Sequence, residues 1–396
     1  MKIPARLDEV AEIIMGQAPP GESYNSNFHG LPLIAGAGDF SKNGIQPKKY
    51  TTSPSKQSIP GDIILGIRAS IGDKRIADKK YALGRGVASI RPTDQLSPRF
   101  LWHWIGHFSK KLSEKGKGAT FKQVNRKDIG ELPIHVLPLS EQLRIADVLD
   151  RADELRAKRR RAITLLDDLA QSLFTTMFGD PDKYPVVSLG ELAEVTSGIT
   201  KGRKISSNIA TRRVPYLAVL NVQDKYLDLT TVKSIDVTHS ELDRYRLRHG
   251  DLVLTEGGDP DKLGRGTVWQ NEIEQCIHQN HIFRVRINSY SPIKSTYLNW
   301  LIASNRGKQY FLRSAKQTTG IASINATQLR NFPVAVPSAD LQERFIQQIE
   351  AVAAEKRTHL SHLAHLDAFF ASLRSRAFRG ELWQTDLEHL EGEGLS

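Results

Sequence analysis

The chain has a single cysteine, Cys276, among 396 residues. One cysteine allows no internal disulfide and no zinc finger or cysteine-ligated cluster within the chain. It reads as a small buried hydrophobe. No apolar run approaches the roughly 20 residues that span a bilayer. The opening Met1-Lys2-Ile3-Pro4-Ala5-Arg6 has no apolar signal core, so the expectation is a cytoplasmic protein with no membrane segment. Catalytic signatures are also missing. An amino-methylating enzyme would carry Asn/Asp-Pro-Pro-Tyr/Phe, but the only Pro-Pro, Pro19-Pro20, stands between Ala18 and Gly21. No Gly-x-x-x-x-Gly-Lys-Ser/Thr loop is present to cradle a nucleoside triphosphate. Gly36-Ala37-Gly38 echoes a cofactor loop without its context. Asp180-Pro181-Asp182-Lys183 and Asp259-Pro260-Asp261-Lys262 lack the spacing of paired nuclease acids and read as turns. Three histidines step by three at His359, His362 and His365. They drift around a helix and bring no second ligand cluster, so no metal site is expected.

Basic charge is in surplus. Fifty-five Lys and Arg oppose 44 Asp and Glu, a net +11. Such a balance suits a polyanion, because Lys and Arg displace condensed counterions from phosphates. The chain length suits two or three domains.

The strongest pattern is an internal repeat with a period of about 200 residues. Leu7-Asp8-Glu9-Val10-Ala11-Glu12-Ile13 returns as Leu189-Gly190-Glu191-Leu192-Ala193-Glu194-Val195. Pro60-Gly61-Asp62-Ile63-Ile64-Leu65 returns as His249-Gly250-Asp251-Leu252-Val253-Leu254, each a Gly-Asp turn feeding a buried strand. Phe100-Leu101-Trp102 answers Tyr297-Leu298-Asn299 at the head of a helix, and Asn125 answers Asn325. Leu132-Pro133-Ile134-His135-Val136 answers Phe332-Pro333-Val334-Ala335-Val336.

Each copy ends in a long helical pattern with apolar residues at alternating steps of three and four. The first stripe runs through Ile145, Val148, Ala152, Leu155, Ala162, Leu166, Leu169 and Leu173, interrupted at Arg159. The second runs through Ile349, Val352, Leu360, Leu363, Leu366, Phe370 and Leu373. Ser140 and Ser338 stand at N-cap positions, and Gly179 and Gly380 at stops. Helices of about 37 residues, roughly 55 Å at 1.5 Å per residue, need a partner. Placing Arg159 opposite His359 in an antiparallel pair sets Ile145 against Leu373, Leu149 against Phe369 and Leu155 against Leu363. The same register sets Leu166 against Val352 and Leu173 against Phe345. Arg159 then faces the seam, where Glu355 on the other helix is a candidate partner.

These patterns predict an α+β chain: two mixed α/β domains in a pseudo-twofold arrangement, joined by two long antiparallel coiled-coil helices. The boundaries are residues 1–138, helix 139–180, residues 181–337, helix 338–384 and a flexible tail 385–396.

At this point the chain resembles the specificity subunits of type I restriction–modification systems over nearly its whole length. Pro138-Leu139-Ser140-Glu141-Gln142-Leu143-Arg144-Ile145 is similar to the family's Pro-Leu-x-Glu-Gln-x-Arg-Ile. Pro337-Ser338-Ala339-Asp340-Leu341-Gln342-Glu343-Arg344-Phe345 keeps the Gln and Arg, with one extra residue and no Glu. Met177-Phe178-Gly179-Asp180-Pro181 and Ala377-Phe378-Arg379-Gly380-Glu381-Leu382 resemble the family's helix endings. The resemblance implies that each domain is a target recognition domain reading one half of an asymmetric, bipartite double-stranded DNA target. The helices would set the spacing and dock two modification subunits, which methylate adenine, and the restriction subunits. S-adenosylmethionine, ATP and Mg would then sit on those partners, and this chain would be non-catalytic. The alternative is a stand-alone or orphan DNA-binding scaffold without restriction partners.

DNA reading calls for Arg or Lys toward guanine and phosphate, and Asn or Gln toward adenine. The candidates in the first domain are Arg68, Lys74, Arg75, Arg85, Lys117, Lys122 and Gln123. In the second they are Lys201, Arg203, Lys204, Arg212, Arg213, Arg265, Lys316 and Gln317. Against each stands the simpler role of a solvated surface charge.

Overall fold

The computed structural model describes residues 4–42, 44–116, 122–206, 208–259, 262–318, 321–379 and 381–382. The chain divides into two compact units, Met1–Ala162 with His359–Ser396, and Ile163–Thr358. These limits differ from the domain borders expected near residues 138 and 337. The reason is that residues of both long helices enter the core of each unit, Ile145, Leu149 and Phe370 in the first and Phe174, Phe345 and Ile349 in the second. The predicted tail, 385–396, lies outside the described residues.

In the first unit an antiparallel sheet runs Ala11–Met15, Val87–Pro92, Ile63–Gly66, Lys74–Ile76 in spatial order. A second, five-stranded sheet contains one parallel pair, Leu31–Ile34 beside Tyr81–Leu83. Helix Pro98–Lys115 covers the first sheet and buries Phe100, Leu101 and Trp104 against Ile63, Leu65 and Ile90. The second unit repeats the plan. Its main sheet runs Ala193–Ser197, Ile282–Ile287, Leu252–Thr255, Gly266–Val268. Its smaller sheet again has a parallel pair, Arg212–Leu217 beside Ile277–His278. Two shorter helices, Ser295–Ala303 and Asn305–Ser314, replace the single covering helix.

The repeated residues prove to be structural devices. Asp62 is buried and accepts from Ile59 N, Ser89 Oγ and the Arg91 guanidinium. Asp251, also buried, accepts from Arg248 N and both ends of the Arg286 fork. A buried carboxylate persists only when fully paired, and each is closed here by an arginine from the neighbouring strand. Asn125 caps helix Arg126–Gly130 in a capping box with Asp128, and Asn325 caps Ala326–Arg330 with Gln328. Gln142 is fully buried; it accepts from Ser97 N at 2.8 Å and donates to Gln95 O and Leu137 O. Gln342 does the same with Lys294 N, Pro292 O and Pro337 O. The glutamine of the repeated motif therefore ties the start of each long helix to its own domain.

The long helices are Leu139–Phe178 (40 residues) and Ala339–Arg379 (41 residues). Ser140 lies inside the first turn rather than at the cap, whereas Ser338 Oγ accepts from Leu341 N. The first helix stops just before Gly179; Gly380 is outside the described residues. Within the first unit the helix halves run antiparallel, with Ile145, Leu149 and Ala152 in one core with Phe370, Leu373 and Ala377. Arg159 points into the seam, its Nη1 2.9 Å from His359 Nδ1, in the register that sets those two residues opposite one another. Within the second unit Phe174, Phe178 and Phe345 share a core with Trp300, while Leu173 and Val352 pack on its margin. Leu166 and Leu363 are half-buried.

Two predicted seam residues lie elsewhere. Leu155 and Phe369 are 54% and 55% exposed. Their seam places are taken by Arg156 and Phe370, one residue along and therefore about 100° around the helix. The Arg156 guanidinium lies 4.3 Å from the Phe370 ring centroid and bonds Asp153 and Asp367. An arginine stem covers the apolar seam while its charged end stays paired, so the stripe continues through a residue that hydropathy would reject.

Candidate DNA-binding surface

The predicted cations fall into two groups. Four are used inside the fold. Lys74 leaves the strand edge and turns inward; its ammonium lies 4.0 Å from the Trp102 ring centroid and donates to Trp102 O. Burial, assisted by nearby Arg374, lowers its pKa to about 7. Arg75 donates to Ser41 O at 2.7 and 3.0 Å and to Lys74 O. Arg203 forms a two-pronged pair with Glu241 at 2.5 and 2.8 Å and also donates to Asp236 O. This pairing holds the Glu241 carboxyl at about 2, well below its usual range. Arg265 bonds Gln223 Oε1 at 3.1 Å. Local protein acceptors engage each of these four side chains.

The second group faces solvent. Arg85, Lys122 and Gln123 are exposed in the first unit, and Lys201, Lys204, Arg212 and Arg213 in the second. Lys201 lies 4.9 Å over the Tyr216 ring, and Arg212 and Arg213 begin the central strand of the smaller sheet. Lys117 lies outside the described residues, as do the side chains of Lys316 and Gln317. Arg68 stands apart: it is half-buried and, with the exposed Arg85, lines a cavity.

The fold also presents groups that the sequence pattern does not mark. Phe28 is 75% exposed with φ 64, on a turn tied by Asn25 to the backbone of Asn27 and His29. A left-handed aromatic is unusual, and only the packed turn, with Phe28 edge-on to Tyr50, maintains it. No short motif announces such a residue. Cys276 is buried, and burial pushes its thiol up to about 12, so it is inert at neutral pH. Among the described residues no helix is long and apolar enough to cross a membrane.

A sheet-and-helix unit is used twice, and each copy exposes basic side chains. Residues 4–165 match the family model described as the type I restriction modification DNA specificity domain. It is 35% identical over 151 residues to the putative type I restriction enzyme MjaX specificity subunit of Methanocaldococcus jannaschii. That match takes in 38% of this chain and only 36% of the relative's length. It is 21% identical to the type I restriction enzyme EcoKI specificity subunit of Escherichia coli, covering 89% of this chain and 82% of the relative. The fold is similar to the crystal structure of the type I restriction-modification system S subunit from M. genitalium, with a TM-score of 0.53 and 15% identity. That similarity covers 94% of this chain and 95% of the other.

Proposed function

We propose that this chain is the DNA-reading specificity subunit of a type I restriction–modification enzyme. Each unit reads one half of a two-part double-stranded target. The observation that carries this reading is a duplicated scaffold under unlike loops. The buried Asp–Arg pairs, Asn caps and Gln ties recur in both copies. The exposed cations above them do not recur in kind or position. Like scaffolds with unlike reading surfaces suit an asymmetric target, because the protein's own repeat imposes no palindrome.

The chain supplies recognition and no chemistry. Leu143, Leu155, Leu165, Leu169, Leu360 and Phe369 remain exposed on the long helices. Large apolar side chains exposed in such number along one pair of elements suit docking of protein partners. Those partners are two modification subunits, which methylate adenine with S-adenosylmethionine, and restriction subunits working with ATP and Mg. The complex acts on DNA in the cytoplasm.

Base-resolved adenine methylation of the host genome, with the gene present and deleted, tests the reading. Loss of methylation at one asymmetric, gapped motif upon deletion is the expected result. If no motif changes while the purified chain still binds duplex DNA, the chain is an orphan DNA-binding scaffold instead.

A further inference from the structure

The first unit contains a cavity of about 340 Å³ walled by Tyr24, the turn Ala35–Gly38, Arg68, Ser70 and the Gly84–Gly86 turn that carries Arg85. Its lining includes two arginines and no acidic residue. Arg68 Nε is buried and has no hydrogen-bond partner, and among the described residues neither arginine has an ion-pair partner. A buried donor on a permanent cation is costly when left unpaired, so the site is built for an anion that the chain does not itself supply. The matching turn of the second unit, Val219–Asn221, carries Val219 and Leu220 where the first carries Ala37 and Gly38. There the nearby arginine, Arg265, gives its terminal nitrogens to protein acceptors, Gln223 Oε1 and Val219 O, while its Nε is buried and unpartnered like that of Arg68. In the first unit the turn lines the pocket with the small residues Ala37 and Gly38.

We propose that this cavity seats a backbone phosphate of the DNA target, with Arg68 and Arg85 as its clamp and the Tyr24 ring beside the attached nucleoside. The proposal rests on the DNA-binding reading above and assigns a particular anchoring site within it. A phosphate seat fixes register on the duplex, while exposed loop residues read bases. The second unit, whose turn carries Val219 and Leu220 in place of Ala37 and Gly38, anchors its half-site without such a seat.

The test measures binding of the full chain to a random-sequence duplex across a range of KCl concentrations. Three proteins are compared: wild type, Arg68→Ala with Arg85→Ala, and Gly38→Leu. The last keeps both charges and imitates Leu220; a Cβ at Gly38 meets nothing within 4 Å, so the fold tolerates it. Each phosphate contact contributes about 0.9 to the slope of log affinity against log salt. The double variant is expected to lose one to two contacts' worth of slope, and Gly38→Leu to lose about one, each with several-fold weaker binding at low salt. Wild-type slope and affinity in Gly38→Leu would overturn the seat, even if the double variant weakens, because charge would then act from outside the cavity. If wild type binds no duplex at all, the DNA-binding reading itself fails, and the seat with it. If millimolar inorganic phosphate or deoxynucleoside monophosphate raises the melting temperature of wild type but not of Gly38→Leu, while DNA binding is equal in both, the seat serves a free phosphate and the DNA assignment is overturned.

Discussion

Single side chains decide whether a charge serves the fold or the ligand. Lys74, a candidate DNA contact by sequence, is buried against Trp102 with its pKa lowered to about 7. Its unfolded value is 10.5, so between pH 7 and 10.5 the unfolded chain binds more protons and stability rises with pH. Lys74→Met is expected to flatten that rise in urea unfolding measured from pH 6.5 to 10, and to leave DNA affinity unchanged. His278 works in the same direction at lower pH. Burial, with Arg284 nearby, lowers its pKa from 6.5 to about 4. Its neutral form is therefore favoured by the fold; the stability it contributes is complete above pH 6.5 and is lost as pH falls toward 4. His278→Gln should shrink the loss of stability between those two values, read by the same denaturation series. Glu241 behaves as a paired carboxylate: its stabilisation is present above its unfolded value of 4.5 and disappears as pH falls toward about 2. Arg203, its partner, is a structural cation for the same reason.

At the scale of elements, the long helices are held by two different means. Each is tied at its start by one buried glutamine with three hydrogen bonds. Gln142→Leu strands a buried amide N–H and two carbonyls, and is expected to destabilise the protein by about 3 kcal/mol. Chemical denaturation monitored by far-UV circular dichroism checks this. Along their length the helices are held by packing, and here exposure discriminates between neighbouring leucines. Leu149 is fully buried with Phe370 and Leu373 in its core, whereas Leu155 is 54% exposed. Leu149→Ala should cost roughly 2–5 kcal/mol by cavity formation, and Leu155→Ala less than about 1 kcal/mol. If Leu155→Ala leaves stability intact yet weakens co-purification with the modification subunit, its exposed face is a docking surface. A substitution without either effect would make Leu155 an ordinary surface residue.

At the scale of the whole molecule, the prediction follows from the proposed recognition role. Purified alone with S-adenosylmethionine and target DNA, the chain should transfer no methyl group. Added to the modification subunit, it should confer methylation at one gapped motif. Tritium transfer to DNA with and without each component distinguishes these cases, and methyl transfer by the isolated chain would contradict a purely recognitional role.

Several features were legible in the linear chain because they recur within it or follow a fixed period. The repeat marked Asp62 and Asp251 and Asn125 and Asn325, and the family-like motif at the helix starts marked Gln142 and Gln342; all are buried pairs, caps or ties found in both units. The alternating apolar stripe marked both long helices and placed Arg159 beside His359. What periodicity could not decide was the phase of the seam by one residue, since Leu155 and Arg156 are adjacent in sequence but face about 100° apart. Nor could it decide which basic residues remain available to a ligand. That depends on whether a carbonyl, ring or carboxylate from a distant strand lies within reach: Ser41 for Arg75, Trp102 for Lys74, Glu241 for Arg203. Sequence determined the scaffold because local spacing and repetition specify it; tertiary structure decided the surface because the partners of each charge come from residues far apart in the chain.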